Sequence, residues 1–542
     1  MNIIKAHLLF VFFLFLLFVN ALNISAQTGN ITIKVKETHQ TMIGFGASLA
    51  WADDQLAVHP KKDEIYNLIV NDLGLNILRL RNTYRFGAVS NGYNISKIVS
   101  ALSTISGKKP IIFISSWSPP SELKSNNNTS NGGTLKKDST GKYVYSDFAK
   151  YWTDAIQEYT ALGVAPDYIS IQNEPDFAAT WESCIFNATQ NTDNAGYNKA
   201  LDSVYTAIQN AGLLTKIIGP EPLGIGYNDF SQYAKIINKN HIDGYAYHLY
   251  TGESDNVNDN HNPDLFNGNL NFIPSNYSGK PIWMTEYDRG DWFNTAWLIN
   301  NCIVDGNVSA YLWWELVWGS GGNPLIEMQS NSYTISKYYW AMKHFSKFIS
   351  IGWKRITAVS DTANIKTSAF INPAGNKLTV EVINTGSQTQ TKNLDIQDFI
   401  PDNGIVYRTT NDLNCVVIDS SFSNKKPLDF PARSITTISF SGSLITSIEN
   451  RQLTPNLFSV SQNYPNPFNP VTTIEFTLSE RSNVRLILTN VLGQVVKEIA
   501  KGNYIAGKHQ VKLNASDLSS GIYFYRLEAG KYSNTKKLVL IK

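Results

Sequence analysis

The sequence predicts an α/β chain: a (β/α)8 barrel with an antiparallel β-sandwich side domain attached to it, followed by a separate all-β sandwich at the C-terminus. Three observations carry this expectation. From Thr41 to Phe348 short β-branched or aromatic runs alternate with amphipathic helical patterns, as in successive βαβ units. Eight strands can be counted there over about 300 residues, where a barrel typically takes roughly 250 and grows by loop insertion. After Trp353 the pattern changes to short alternating segments separated by Asn, Gly and Ser, which suits antiparallel sheets.

In chain order, residues 1–26 read as a secretory signal: Lys5, an unbroken apolar run from Leu8 to Val19, then Ala21, Ser25 and Ala26. The run is too short to span a bilayer, which needs about 20 residues, so export is expected rather than anchoring. Residues 27–41 contain an early strand, Ile31 to Val35, expected to complete the side domain. The barrel, 42–348, draws its strands from Met42 to Leu49, Asn76 to Arg81, Pro110 to Ser116, Asp167 to Gln172, Lys216 to Glu221, Ile242 to Leu249, Pro281 to Glu286 and Val308 to Trp314. Continuous runs such as Ile111-Ile112-Phe113-Ile114 suit strands covered on both faces. Helical patterns lie between them, as from Ser146 to Leu162, where Phe148, Trp152, Ala155, Ile156 and Tyr159 recur at spacings of three and four. Gly44-Phe45-Gly46 lacks the third glycine of a dinucleotide fingerprint and reads as close-packed backbone, which disfavours an open doubly wound sheet. Residues 349–445 form the β-sandwich side domain, 446–455 a polar linker, and 456–542 the last β-domain.

The chain has 46 Lys plus Arg against 44 Asp plus Glu, a net +2 that gives no electrostatic basis for a nucleic-acid partner. The excess is uneven. Residues 456–542 hold eleven Lys or Arg and five Asp or Glu, a local +6 that leaves −4 for the rest. All twelve Trp lie between Trp51 and Trp353, so the chemistry is sought in the barrel. Cys184, Cys302 and Cys415 sit in no CxxC or Cys/His spacing, so buried thiols are expected, and no metal or cofactor is called for.

Barrel active sites sit at the C-terminal ends of the strands. The fourth predicted strand runs into Gln172-Asn173-Glu174-Pro175 and the seventh ends in Trp283-Met284-Thr285-Glu286-Tyr287. Two glutamates at two strand ends are what glycosidic cleavage needs, one to protonate the leaving oxygen and one to attack the anomeric carbon or activate water. Asn173 fits as a donor to the sugar 2-hydroxyl. Trp51, Trp117, Tyr250, Tyr287 and Trp313 are candidate substrate-binding residues, because aromatic faces stack on pyranose C–H faces. His248 is a candidate either to orient a carboxylate or to bond a sugar hydroxyl, and Arg79 or Arg81 to hold the nucleophile ionised or to make a structural ion pair.

These residues resemble glycoside hydrolase family 30, whose members pair a barrel with a β-sandwich built from both flanking ends of the chain. The resemblance runs from about Gln40 to Phe440 and includes Gly44-Phe45-Gly46-Ala47-Ser48, Trp117-Ser118-Pro119-Pro120, Asn131-Gly132-Gly133-Thr134-Leu135, Trp181-Glu182-Ser183-Cys184, His248-Leu249-Tyr250 and Tyr311-Leu312-Trp313-Trp314. The Glu-Ser-Cys and Gly-Gly-Thr-Leu pieces look most like its bacterial xylanase branch. The resemblance implies Glu174 as acid/base, Glu286 as nucleophile, and a retaining mechanism. One departure matters. Branch members that recognise glucuronic acid use an Arg in the loop after the eighth strand, whereas this loop, Trp314 to Asn323, has no Arg and one acid, Glu315. An acid there is expected to repel a uronate, with Arg289 the one nearby cation that could offset it. An endo-β-1,4-xylanase without strict dependence on glucuronyl groups is therefore expected. The alternatives are a glucuronoxylan-specific xylanase, another β-glycosidase of the family (β-glucanase, β-glucosidase or exo-xylosidase), or a non-catalytic surface glycan-binding protein.

The tail resembles the type A sorting domain of type IX secretion cargo in Asn463-Tyr464-Pro465-Asn466-Pro467-Phe468-Asn469-Pro470, Gly493-Gln494-Val495-Val496, Gly521-Ile522-Tyr523-Phe524-Tyr525 and the basic end Lys536 to Lys542. It implies export through the periplasm to the cell surface or medium, with the secretion machinery and a polysaccharide as partners. A monomer is expected.

Overall fold

A computed structural model describes residues 29–85, 87–251, 262–445, 458–530 and 532–542. The secretory signal and the linker fall outside the described residues. The chain divides into two compact units at Leu444 and Ile445.

In the first unit, strands Gly44–Ser48, Ile77–Arg81, Ile111–Ser115, Tyr168–Ser170, Lys216–Pro220, Gly244–His248, Ile282–Glu286 and Val308–Trp313 close into a barrel in chain order, the eighth pairing with the first. All eight pairings are parallel, and each strand lies inside the range the sequence predicts. Parallel strands bury both faces, and the side chains divide accordingly. Ile77, Phe113, Ile218, Ala246, Trp283, Ala310 and Leu312 fill the barrel, while the opposite face packs against the helices. Helix Tyr145–Ala161 buries Phe148, Trp152, Ile156 and Tyr159 on one stripe, and Trp152 Nε1 donates to the Ile171 carbonyl at 3.2 Å. Burying each such side chain is worth about 2 kcal/mol, so this stripe fixes the helix against the strand that leads to Glu174.

The Gly-Phe-Gly run is close-packed backbone. A Cβ on Gly46 would lie 2.5 Å from the Ile77 carbonyl oxygen, and Gly44 has φ +146° with Asn76 Oδ1 where its Cβ would go. That oxygen accepts from Phe45 N at 3.0 Å, tying the first strand to the start of the second.

Strand Gly29–Thr41 runs antiparallel to Lys354–Ser360 and parallel to Gln390–Gln397, so the start of the described chain is stitched into a sheet made by residues beyond the barrel. The sandwich has its own core around Ile31, Ile33, Val380, Val382, Ile438 and Phe440. It is joined to the barrel through His344, fully buried in helix Lys337–Ser346, whose ring nitrogens bond Thr437 Oγ1 at 2.6 Å and Thr409 Oγ1 at 2.8 Å. Burial, with Lys343 nearby, holds this imidazole down at about 3, so the junction is neutral.

The second unit has a sheet of Ser459–Val460, Val471–Leu478 and Gly507–Asn514 and another of Val495–Tyr504, Ser482–Thr489, Gly521–Ala529 and Tyr532–Leu540, around Phe468, Ile474, Leu486, Tyr525 and Leu538. Strand Val495–Tyr504 lies on the sheet edge and has no fully buried residue, so its sequence shows no apolar alternation. The three cysteines are buried and unpaired with one another. No helix among the described residues is long and apolar enough to cross a membrane.

Candidate active site

The strand ends place three glutamates around one arginine. Glu174 follows the fourth strand by four residues, Glu286 ends the seventh, and Glu221 directly follows the fifth. Glu174 and Glu221 hold φ of 44° and 62°, and Trp51, just past the first strand, holds 60°. Left-handed backbone at a non-glycine residue costs about 1–3 kcal/mol and persists only where neighbours fix it. Here Glu174 N donates to the Glu221 carbonyl at 3.0 Å and Glu221 N to the Ala246 carbonyl at 2.9 Å, so each turn leans on the next strand of the barrel.

Arg79, in the second strand, is fully buried. Its Nη1 donates to Glu286 Oε2 at 2.5 Å, its Nη2 to Asn173 Oδ1 at 2.6 Å and Glu221 Oε1 at 3.0 Å, and its Nε to Ser115 Oγ at 3.3 Å. His248, also fully buried, has Nδ1 2.9 Å from Glu174 Oε1, and Nε2 3.5 Å from Glu221 and 3.9 Å from Glu286. Tyr250 donates its hydroxyl to Glu286 Oε1 at 3.1 Å. One carboxylate oxygen each of Glu174 and Glu286 lie within 4.8 Å of each other.

The electrostatics follow from this packing. Burial alone would push Glu221 up, but the Arg79 charge and His248 outweigh it and hold the carboxyl down at about 2. Burial disfavours a charged His248, yet the Glu286 charge and the proximity of Glu174 and Glu221 raise it to about 9. For Glu286 burial is the strongest influence and pushes the carboxyl up, opposed by His248 and Arg79. With Arg79 and His248 both cationic, the network is electrically neutral when one of the three carboxyls holds a proton.

The carboxylates open onto a cleft of about 890 Å³ lined by Trp51, Trp117, Trp314, Tyr250, Trp181 and Trp318, among others. Trp51, Trp117 and Trp314 pack with ring centroids 5.1 to 5.9 Å apart, and the Arg79 guanidinium lies 4.6 Å from the Trp117 ring centroid. Arg289 also lines the cleft, 5.1 Å over the Tyr250 ring.

Several candidates stand elsewhere than sequence reasoning put them. Trp313 is no cleft wall: it is fully buried, stacks on Tyr338 at 5.4 Å and donates Nε1 to the Asn323 carbonyl at 2.8 Å. Side chains alternate along a strand, and it is Trp314 that faces the cleft. Tyr287 lies buried behind Tyr250, 5.7 Å between centroids. His248 and Arg79 have no exposed surface to offer a sugar; they bond the carboxylates, the role the sequence reading gave Arg79 and one of the two it gave His248. Arg81 pairs with Glu182 at 3.0 Å. Asn173 is 2% exposed, and its carbonyl oxygen is taken by Arg79, which turns its amide nitrogen into the available donor.

One acid, Glu221, escaped the sequence reading, and another, Glu315, was read with the wrong charge. Glu221 obeys the same strand-end rule as the other two glutamates and was legible by it. Glu315 was read as a charge that repels a uronate, but burial, then Glu286 and Asp288, push its carboxyl up to about 9. It is uncharged at neutral pH, so that repulsion does not operate.

Residues 352–438 match the glycosyl hydrolase family 30 beta sandwich domain, and residues 462–542 the secretion system C-terminal sorting domain. Glucuronoxylanase XynC of Bacillus subtilis is 27% identical over 440 residues, covering 75% of this chain and 91% of that protein. Endo-1,6-beta-D-glucanase neg1 of Aspergillus fumigatus is 25% identical over 410 residues, covering 64% and 79%. The crystal structure of the glycoside hydrolase family 30 subfamily 8 xylanase Xyn30A from Clostridium acetobutylicum superposes with a TM-score of 0.61 at 26% identity, over 76% of this chain and 99% of that one. A closed barrel with a family 30 sandwich and a sorting tail is thus the architecture of a secreted hydrolase, and across barrel and sandwich the chain resembles glycoside hydrolase family 30.

Proposed function

We propose that the chain is a retaining endo-β-1,4-xylanase, exported by the type IX secretion system and acting as a monomer, that cleaves the xylan backbone without strict dependence on glucuronyl side groups. The observation that carries this is the Glu174–Glu286 pair, with oxygens within 4.8 Å of each other at the floor of an aromatic cleft. Retaining enzymes hold their carboxyls about 5–5.5 Å apart, whereas inverting ones need roughly 6.5–9.5 Å to admit a water.

Glu174 protonates the glycosidic oxygen while Glu286 attacks the anomeric carbon. The leaving sugar departs with that proton, and a glycosyl ester forms on Glu286. Water, deprotonated by Glu174, then displaces the ester and regenerates both groups. Of the three carboxyls, Arg79 bonds Glu286 and Glu221 and leaves Glu174 to His248. Arg79 and Tyr250 orient Glu286, His248 orients Glu174, and Asn173 donates to the 2-hydroxyl. Trp51, Trp117 and Trp314 supply stacking faces.

A second reading, a glucuronoxylan-specific xylanase, is favoured by Arg289 on the cleft wall and by the name of the Bacillus relative. Digestion of undecorated xylan, glucuronoxylan and β-1,6-glucan with sizing of products separates these. We expect oligosaccharide ladders from both xylans at comparable rates. Activity confined to glucuronoxylan overturns the independence from side groups, activity on β-glucan alone overturns the xylan reading, and release of monosaccharide alone overturns endo action.

A further inference from the structure

The loop after the eighth strand carries an acid to the cleft that the double displacement does not use. Glu315 is held at its backbone: Leu325 N donates to its carbonyl at 2.9 Å, and the next residue, Leu316, donates its N–H to the Ser48 carbonyl at 2.8 Å. The side chain lines the cleft yet is only 6% exposed, and its Oε2 has no hydrogen-bond partner among the described residues. The charged groups that face it are Glu286 and Asp288, from the seventh strand and the loop beyond, and Arg79 from the second. Arg79 is already committed to Glu286, Glu221 and Asn173. Arg79 only partly offsets burial, Glu286 and Asp288, so at neutral pH the group is a carboxylic acid with one O–H to give and a carbonyl to accept. Native interiors leave few polar atoms unpaired, and the residue that carries this one lines the space a sugar must enter.

We infer that Glu315 is a specificity-determining residue, whose carboxylic acid gives a hydrogen bond to, and accepts one from, hydroxyl groups of the sugar ring that sits against Glu286. The inference rests on the glycosidase reading of the same cleft. It selects an uncharged, hydroxylated ring at that position. A hydroxyl can both give and accept, whereas a ring carboxylate has no proton for the Glu315 carbonyl and would lie beside Glu286 and Asp288.

The test compares Glu315→Gln and Glu315→Leu with the unmodified enzyme at pH 6, on the glycan that enzyme cleaves. Gln keeps a donor and an acceptor in the same shape, and Leu keeps neither. We expect kcat/KM to fall at least about tenfold in Leu and to stay within about twofold in Gln, the size of two lost neutral hydrogen bonds, with the urea midpoint of Leu no lower than that of Gln. Leu matching the unmodified enzyme, or Gln falling as far as Leu, overturns the inference. A second readout serves if Leu fails to fold. Infrared difference spectra on adding xylobiose should show a protonated carboxylic acid band that shifts in the unmodified enzyme and is missing in Gln, and a band that does not move is equally fatal. If the enzyme cleaves another β-glycan, the xylan reading fails alone, and the same comparison runs on that glycan and its disaccharide product.

Discussion

Replacing Arg79 by Met tests the account at its electrostatic centre. The substitution removes four hydrogen bonds, to Glu286, Glu221, Asn173 and Ser115, from a side chain with no solvent exposure. Two buried carboxylates lose their shared cation. Removing one partner of a buried ion pair costs about 3–5 kcal/mol, a large part of the about 5–15 kcal/mol that holds a typical protein folded. The kinetic consequence has a definite sign. Burial already pushes Glu286 up and Arg79 opposes it, so without the guanidinium the carboxyl rises further and the acid limb of kcat/KM moves to higher pH. Arg79→Lys keeps the charge, but one ammonium cannot reproduce a fork that reaches Glu286 on one nitrogen and Glu221 on the other, so it falls between. Adding Glu221→Gln to Arg79→Met removes one stranded charge and should recover part of the lost stability. Urea denaturation followed by tryptophan fluorescence, with pH–rate profiles, measures both effects. An unfolding free energy within about 0.5 kcal/mol of the parent and an unmoved acid limb would refute the reasoning.

Three further outcomes are expected. Glu315→Gln should flatten the pH dependence of stability: the raised carboxyl contributes stability that is full below its ordinary value of 4.5 and is lost as pH rises through about 9, so the variant gains about 3 kcal/mol at pH 7 and nothing at pH 4, and equal melting shifts at both pH values would contradict this. Trp313→Ala should cost about 3–5 kcal/mol of stability, whereas Trp314→Ala should raise KM with a much smaller stability loss, and calorimetry beside kinetics tells whether the two are reversed. Deleting residues 456–542 should abolish export while the purified remainder keeps its kcat on soluble substrate, and a drop in kcat would assign the tail a part in substrate binding.

Much of the fold was legible because a parallel barrel writes its strands as continuous apolar runs. Strands such as Ile111–Ser115 and Ile282–Glu286 stand out on that ground alone, and so do the acids at or just past the strand ends. What the sequence withheld depends on rotation and depth. Trp313 and Trp314 are adjacent and chemically identical, and only the phase of the pleat at the end of the eighth strand decides which indole enters the core. Arg79 and His248 are legible as partners of a carboxylate, but a linear string does not show that Asn173, Glu174, Glu221 and Glu286 all converge on them, nor that Arg79 rather than Arg81 does so. Glu315 carries the same letter whether charged or neutral, and its state is set by burial and by two neighbouring acids.

The central claim, a double displacement through Glu286, is tested most directly by incubating the enzyme with an activated 2-deoxy-2-fluoro-xylobioside and mapping the trapped sugar by peptide mass spectrometry. The account predicts one glycosyl group per chain, carried by the peptide that contains Glu286 and absent from Glu286→Gln. A label on any other residue, or hydrolysis of xylan with inverted anomeric configuration and no trapped ester, would contradict it.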